Sequence, residues 1–212
     1  MTTSATTAPQ LTAQLRPWLP DLQALHVLEV GCATADEAGA LLELGAVTEY
    51  VGVDLDESAI KRARDRWPQA TFLCADAARL PARYHGALDV ILIRRPDLLA
   101  QPKRWREVFA ALPTLLHAQG RVLVTLIGKG EARLARAWLA DEGCEAVHVG
   151  ALDLPDEQRL LVAEIANASV PIQPPLKLIQ FDAGADEGAY CDPLTGECFT
   201  PGVENLDDDA RD

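Results

Sequence analysis

At 212 residues and 49% apolar composition, the chain has room for one domain with a substantial core plus a tail, and it is too apolar for a disordered protein. No apolar run approaches the roughly 20 residues needed to span a bilayer, which argues against a membrane-spanning helix. The net charge of −13 is unevenly placed: residues 181–212 hold ten acids and one arginine, leaving −4 for residues 1–180. The acidic character belongs to the tail, so the total charge does not exclude an anionic partner.

Residues 1–10 are Thr/Ala-rich and lack a basic head followed by an apolar stretch, so they read as a flexible N-terminus without a secretory signal. Cytoplasm is the expected location. In residues 11–25 the spacing of Leu11, Leu15, Trp18, Leu19, Leu22 and Leu25 predicts a short helix, interrupted by Pro17 and Pro20 and covering one edge of the domain. A strand over 26–30 runs into Gly31 and a series of small residues, Cys32, Ala33, Thr34 and Ala35. A helix follows over 36–44, with Gly45 as its stop. Strand, tight turn and helix entry in that order are the nucleotide-cofactor arrangement, in which backbone N–H groups and a helix N-terminus face the ligand.

Residues 49–54 form a second predicted strand ending in Asp54, which lies 23 residues after Gly31. That is close to the ~20-residue interval at which an acid accepts the ribose hydroxyls. Asp56 is available to cap the next helix, which continues through 60–66 and ends in basic residues. A third strand over 70–77 ends in Asp76, which by itself reads equally well as a turn former. Residues 87–93 are nearly continuous in apolar side chains, as in a strand buried on both faces, and lead into Arg94 and Arg95. A helix over 101–117 with a kink at Pro113, a fifth strand over 120–127, a Gly-Lys-Gly turn and a helix over 131–141 complete five strand–helix units. Residues 145–152 and 159–166 are two further β-rich segments. The six residues between them are too few for a helical crossover, so this pair must be an antiparallel hairpin.

A dinucleotide fingerprint G-x-G-x-x-G would fall on Gly31, Ala33 and Asp36, and the charge at Asp36 sits where close helix–strand packing is needed. No tyrosine is followed by a lysine at reductase spacing either. Read instead as Glu29-x-Gly31-x-Ala33-x-Ala35, with acids closing the next two strands and a terminal hairpin, residues 11–166 resemble the class I S-adenosylmethionine-dependent methyltransferases. The chain departs from that family's motif I in having alanine at two positions usually held by glycine. The resemblance implies a Rossmann-like α/β fold, doubly wound, with a mostly parallel seven-stranded sheet whose terminal hairpin inserts one antiparallel strand. It further implies S-adenosylmethionine as cofactor. Gly31, Cys32 and Ala33 would accommodate its methionine end and ribose, with Glu29 nearby, Asp54 and Leu55 on the ribose, and Asp76 and Ala77 on adenine. Arg94 would face the cofactor carboxylate or an anionic acceptor. No catalytic triad is visible and none is required, because methyl transfer is chiefly alignment and desolvation of the acceptor.

The acceptor is not identified by the sequence, which allows a small-molecule or anionic one. Arg95-Pro96-Asp97-Leu98 departs from the Asn/Asp-Pro-Pro-aromatic motif of base-modifying members, so nucleic acid is disfavoured. A homodimer is open. The reading of a different class is a non-catalytic module in which Ala33 and Ala35 obstruct the turn and the acidic tail docks partners. Residues 167–182 read as a Pro-rich extended segment and 183–212 as a flexible acidic tail. In the tail, Cys191 and Cys198 flank a turn. They are open to a disulfide, to half of a shared metal site, or to simple reduced thiols. No complete metal site is predicted.

Overall fold

The computed structural model describes residues 8–20, 24–36, 38–44, 46–153 and 158–166, and the backbone of 190–191 and 198–199. The expectations for residues 1–7 and 167–189, and for the acidic tail outside its two short strands, lie outside the described residues. Two units separate, residues 1–179 and 180–212. In the second, β8 (Tyr190–Cys191) and β9 (Cys198–Phe199) pair antiparallel, with Cys191 directly opposite Cys198.

The first unit is built on seven strands: β1 (Leu25–Val30), β2 (Val47–Asp54), β3 (Thr71–Cys74), β4 (Leu88–Arg94), β5 (Leu116–Ile127), β6 (Cys144–Ala151) and β7 (Gln158–Ile165). Their order across the sheet is β3-β2-β1-β4-β5-β7-β6. The pairs among β1 to β5 are parallel, whereas β7 runs antiparallel to both β5 and β6. The expected Rossmann-like sheet with its inserted hairpin strand is therefore the observed one. The sequence order reverses between β1 and β4, and in such sheets the crevice at the reversal is where ligands bind.

Among the described residues, five α-helices cover the sheet: α1 (Ala8–Leu15), α2 (Ala38–Leu42), α3 (Glu57–Arg66), α4 (Pro102–Leu115) and α5 (Gly128–Asp141). Leu11 and Leu15 of α1, Ala38 and Leu41 of α2, and Ile60 and Ala63 of α3 join one cluster with Val27, Tyr50, Leu92, Leu123 and Val162 of the strands. Between α4 and α5, Phe109 meets Trp138 edge to face at 5.6 Å. The central strand β4 is buried along its whole length up to Arg94, as its unbroken apolar run requires.

Several boundaries differ from the periodicity. The first helix ends at Leu15 and tightens into a 3-10 turn over Arg16–Trp18, because Pro17 lacks the N–H needed to continue an α-helix. Its last turn is tied to the distal hairpin. Gln14 Nε2 donates to the Asp153 carbonyl at 3.0 Å, while the Asp153 N–H donates to Gln14 Oε1 at 2.7 Å. Strand β3 stops at Cys74, since Asp76 turns the chain into a 3-10 segment (Ala77–Arg79) by accepting the Ala78 N–H at 3.0 Å. The Gly-Lys-Gly turn is instead the first turn of α5, and β5 begins at Leu116 rather than Gly120. Asp56 caps α3 as expected, accepting from the Ser58 and Ala59 N–H groups.

Candidate cofactor site

The loop after β1 has the backbone of a glycine turn without all the glycines. Gly31, Ala33 and Ala35 have φ of 69°, 47° and 52°. The two alanines thus occupy the left-handed region at a cost of about 1–2 kcal/mol each. A left-handed turn is formed here although two of its three positions carry alanine. Neighbours hold it there. The Trp67 indole N–H donates to the Ala35 carbonyl at 2.9 Å, and the Gly31 and Cys32 N–H groups donate to the Val53 carbonyl at 2.8 and 3.1 Å.

Asp54, at the carboxyl end of β2, fastens the same loop. Its Oδ2 accepts the Ala33 N–H at 2.8 Å and its Oδ1 accepts the Asp56 N–H at 2.9 Å. Each oxygen keeps a second lone pair for a hydroxyl donor. Asp76, at the next strand end, is capped against Ala78 and paired with Arg79 at 3.0 Å.

Gly31, Asp54, Leu55, Asp76 and Ala77 line one cleft of ≈340 Å³ at the carboxyl ends of β1, β2 and β3. This volume is within the range of small-ligand sites. The opposite wall is α4, which contributes Gln101, Arg104, Trp105 and Val108. Their periodicity shows only that they belong to a helix, and Arg104 in particular reads in sequence as part of a solvated face. Their role is legible only once α4 is seen across the cleft from Gly31.

Four predicted residues, Glu29, Cys32, Ala33 and Arg94, are not among those lining the cleft. Glu29 is fully buried, with Oε1 accepting from Arg94 Nε at 2.5 Å and Oε2 from the Tyr50 hydroxyl. Burial and the neighbouring Glu29 carboxylate raise the Tyr50 pKa, so the hydroxyl stays a donor. Cys32 is buried as well, and burial raises its thiol pKa strongly. Arg94, at the end of β4, is largely buried against Glu29. The next residue, Arg95, has φ 49° and donates its N–H to the Thr125 carbonyl at 2.8 Å. Its side chain is exposed.

The chemistry of this donor set separates two kinds of ligand. A pyrophosphate needs free amides, yet those of Gly31, Cys32 and Ala33 are already bonded within the protein. Asp54, Asp56 and Asp76 give the cleft three carboxylates, which repel phosphate and suit hydroxyls, an amine or a cation. Residues 27–120 match a family model described as a methyltransferase domain.

Solved structures share the fold. A TehB-like S-adenosylmethionine-dependent methyltransferase from Corynebacterium glutamicum is 17% identical at TM-score 0.61, covering 77% of this chain and 90% of that one. Magnesium protoporphyrin IX methyltransferase from Synechocystis PCC 6803, solved with bound S-adenosylmethionine, is 23% identical at TM-score 0.59, covering 73% and 78%. The [4+2]-cyclase SpnF is 15% identical at TM-score 0.62, covering 74% and 80%, so at these identities the likeness is one of fold. No curated protein sequence matches the chain. Among the described residues, no helix is long and apolar enough to cross a membrane and no cluster of ligands suits a metal ion.

Proposed function

We propose that the chain transfers the methyl group of S-adenosylmethionine to a small or anionic acceptor bound beyond the carboxyl ends of β4 and β5. The observation that carries the reading is Asp54, which bonds the Ala33 N–H while lining the cleft with Asp76. One carboxylate thereby shapes the loop and faces the position of a ribose. In this reading Asp76 and Ala77 receive adenine, and Leu55 packs beside the ribose. Gly31, Cys32 and Ala33 set the backbone against which the methionine end lies.

Glu29 acts through Arg94. With both carboxylate oxygens engaged, it fixes the guanidinium at the strand end, where a cation suits the cofactor carboxylate. The cofactor supplies an activated methyl group, and the protein aligns the acceptor and excludes water from it. Arg95 supports an anionic acceptor. Its left-handed backbone is a strained conformation at a strand end, a setting in which strain is often tied to function.

Release of S-adenosylhomocysteine over a panel of small acceptors tests this reading. Turnover is expected with carboxylate- or phosphate-bearing acceptors and is expected to fall in Arg95→Ala, chiefly through KM. Turnover confined to uncharged acceptors and unchanged in Arg95→Ala would overturn the anionic assignment.

A further inference from the structure

Among the described residues, three of the four tryptophans have a ring or cation partner. Trp18 stacks on His148 at 4.0 Å, Trp67 lies under the Arg66 guanidinium at 5.1 Å, and Trp138 meets Phe109 and Arg106. Trp105 has no such ring or cation partner. Its side chain is half-buried in the wall of the cleft, and its Cη2 lies 3.8 Å from where a Cβ on Gly31 would stand. An indole in the wall of a cleft, with no aromatic ring or cation over it among the described residues, can offer a face to a ligand.

The ligand's orientation says which part meets that face. With adenine at Asp76 and ribose at Asp54, as proposed above, the 5′ substituent of the ribose would extend toward Gly31 and the ring opposite it, all of which line the same cleft. In S-adenosylmethionine this substituent begins with a sulfonium cation. Cations are attracted to the negative face of an indole, and most strongly where water is thinned out. The carboxylates of Asp54 and Asp56 add to the attraction, and Arg104 on the same wall opposes it.

We propose that Trp105 is a specificity-determining residue whose indole face receives the sulfonium, so that the site holds the charged methyl donor more tightly than the neutral thioether product. The inference rests on the cofactor assignment above and extends it to discrimination between donor and product. Product release from such a site is favoured by the loss of charge that accompanies methyl transfer.

The test is a pair of dissociation constants, for S-adenosylmethionine and for S-adenosylhomocysteine, measured by equilibrium dialysis on wild type, Trp105→Leu and Trp105→Phe. Trp105→Leu is expected to weaken binding of the cationic donor about tenfold and of the neutral product by about threefold at most, with Trp105→Phe between wild type and Leu. Equal weakening of both ligands, or no weakening of either, would overturn the proposal and leave Trp105 as a wall of the cleft. Should Trp105→Leu fail to fold, the ratio of the two constants in Trp105→Phe decides: it must fall relative to wild type. Wild-type protein that binds neither ligand would overturn the cofactor assignment itself, and this inference with it.

Discussion

Arg94 Nε donates to Glu29 Oε1 at 2.5 Å, and the carboxylate it meets is fully buried. A charge in that position is tolerated only because it is paired and hydrogen-bonded on both oxygens. Glu29→Ala would leave the guanidinium without its carboxylate, and Arg94→Ala would leave the carboxylate without its cation. Each is expected to cost about 3 kcal/mol in urea denaturation. The double variant should cost well under the sum, because the pair is then removed together. Additive losses would show that the two residues are independent.

The left-handed alanines make a prediction of opposite sign. Ala33→Gly removes the backbone strain at φ 47° and exposes nothing, since Ala33 is already at the surface. Set against the extra entropy of glycine in the unfolded chain, it should stabilise by about 0.5–1 kcal/mol. Ala35→Gly relieves the same strain but deletes a fully buried methyl, so it should be near neutral. Thermal melts of the two variants distinguish these outcomes, and destabilisation by Ala33→Gly would contradict the loop geometry.

Gly52 is the position where a side chain does most harm near the site. A Cβ there would come within 2.6 Å of Phe72 Cδ1 and 2.8 Å of Cys32 Sγ. Both neighbours are buried, so neither has free room to retreat. Gly52→Ala is expected to destabilise by about 1–3 kcal/mol, and to do so while pressing on the cofactor loop through Cys32. A melt indistinguishable from wild type would show that this packing is looser than described.

Cysteine chemistry gives a prediction that depends on pH. Burial holds the Cys144 thiol up at about 11 against an ordinary value of 9.0. A native group with a raised pKa contributes stability that is complete below the unfolded pKa. That contribution is lost as pH rises, here between about pH 9 and 11. Cys144→Ala should therefore flatten the fall in stability across that window. In the folded protein at pH 8, peptide mapping after alkylation should find exposed Cys74 modified well before Cys32 and Cys144. Early labelling of Cys32 would place it outside the core.

Much of this was legible in the residues, for identifiable reasons. Strand ends announce themselves where an apolar run meets an acid, so spacing singles out Asp54, whereas Asp76 becomes a candidate only through the resemblance; both line the cleft. The six-residue gap before Arg159 forces a hairpin whatever the tertiary context. Boundaries were less legible, because Gly128 and Gly130 look like a turn until their place at the start of α5 is known. The far wall of the cleft was not legible. Trp105 and Arg104 look like any helical residues, and only the packing of α4 opposite Gly31 makes them part of the site. Tyr50 shows the same limit: its spacing marks a strand, and its bond to Glu29 appears only when the two strands lie side by side.

The measurement that bears most directly on the central claim is calorimetric titration of the folded protein with S-adenosylhomocysteine, alongside Asp54→Ala. The account predicts saturable one-site binding by the wild-type chain and loss of that binding in the variant, because Asp54 fastens the Ala33 loop and is the carboxylate proposed to meet the ribose. Absence of binding at millimolar ligand, or undiminished binding by Asp54→Ala, would contradict it.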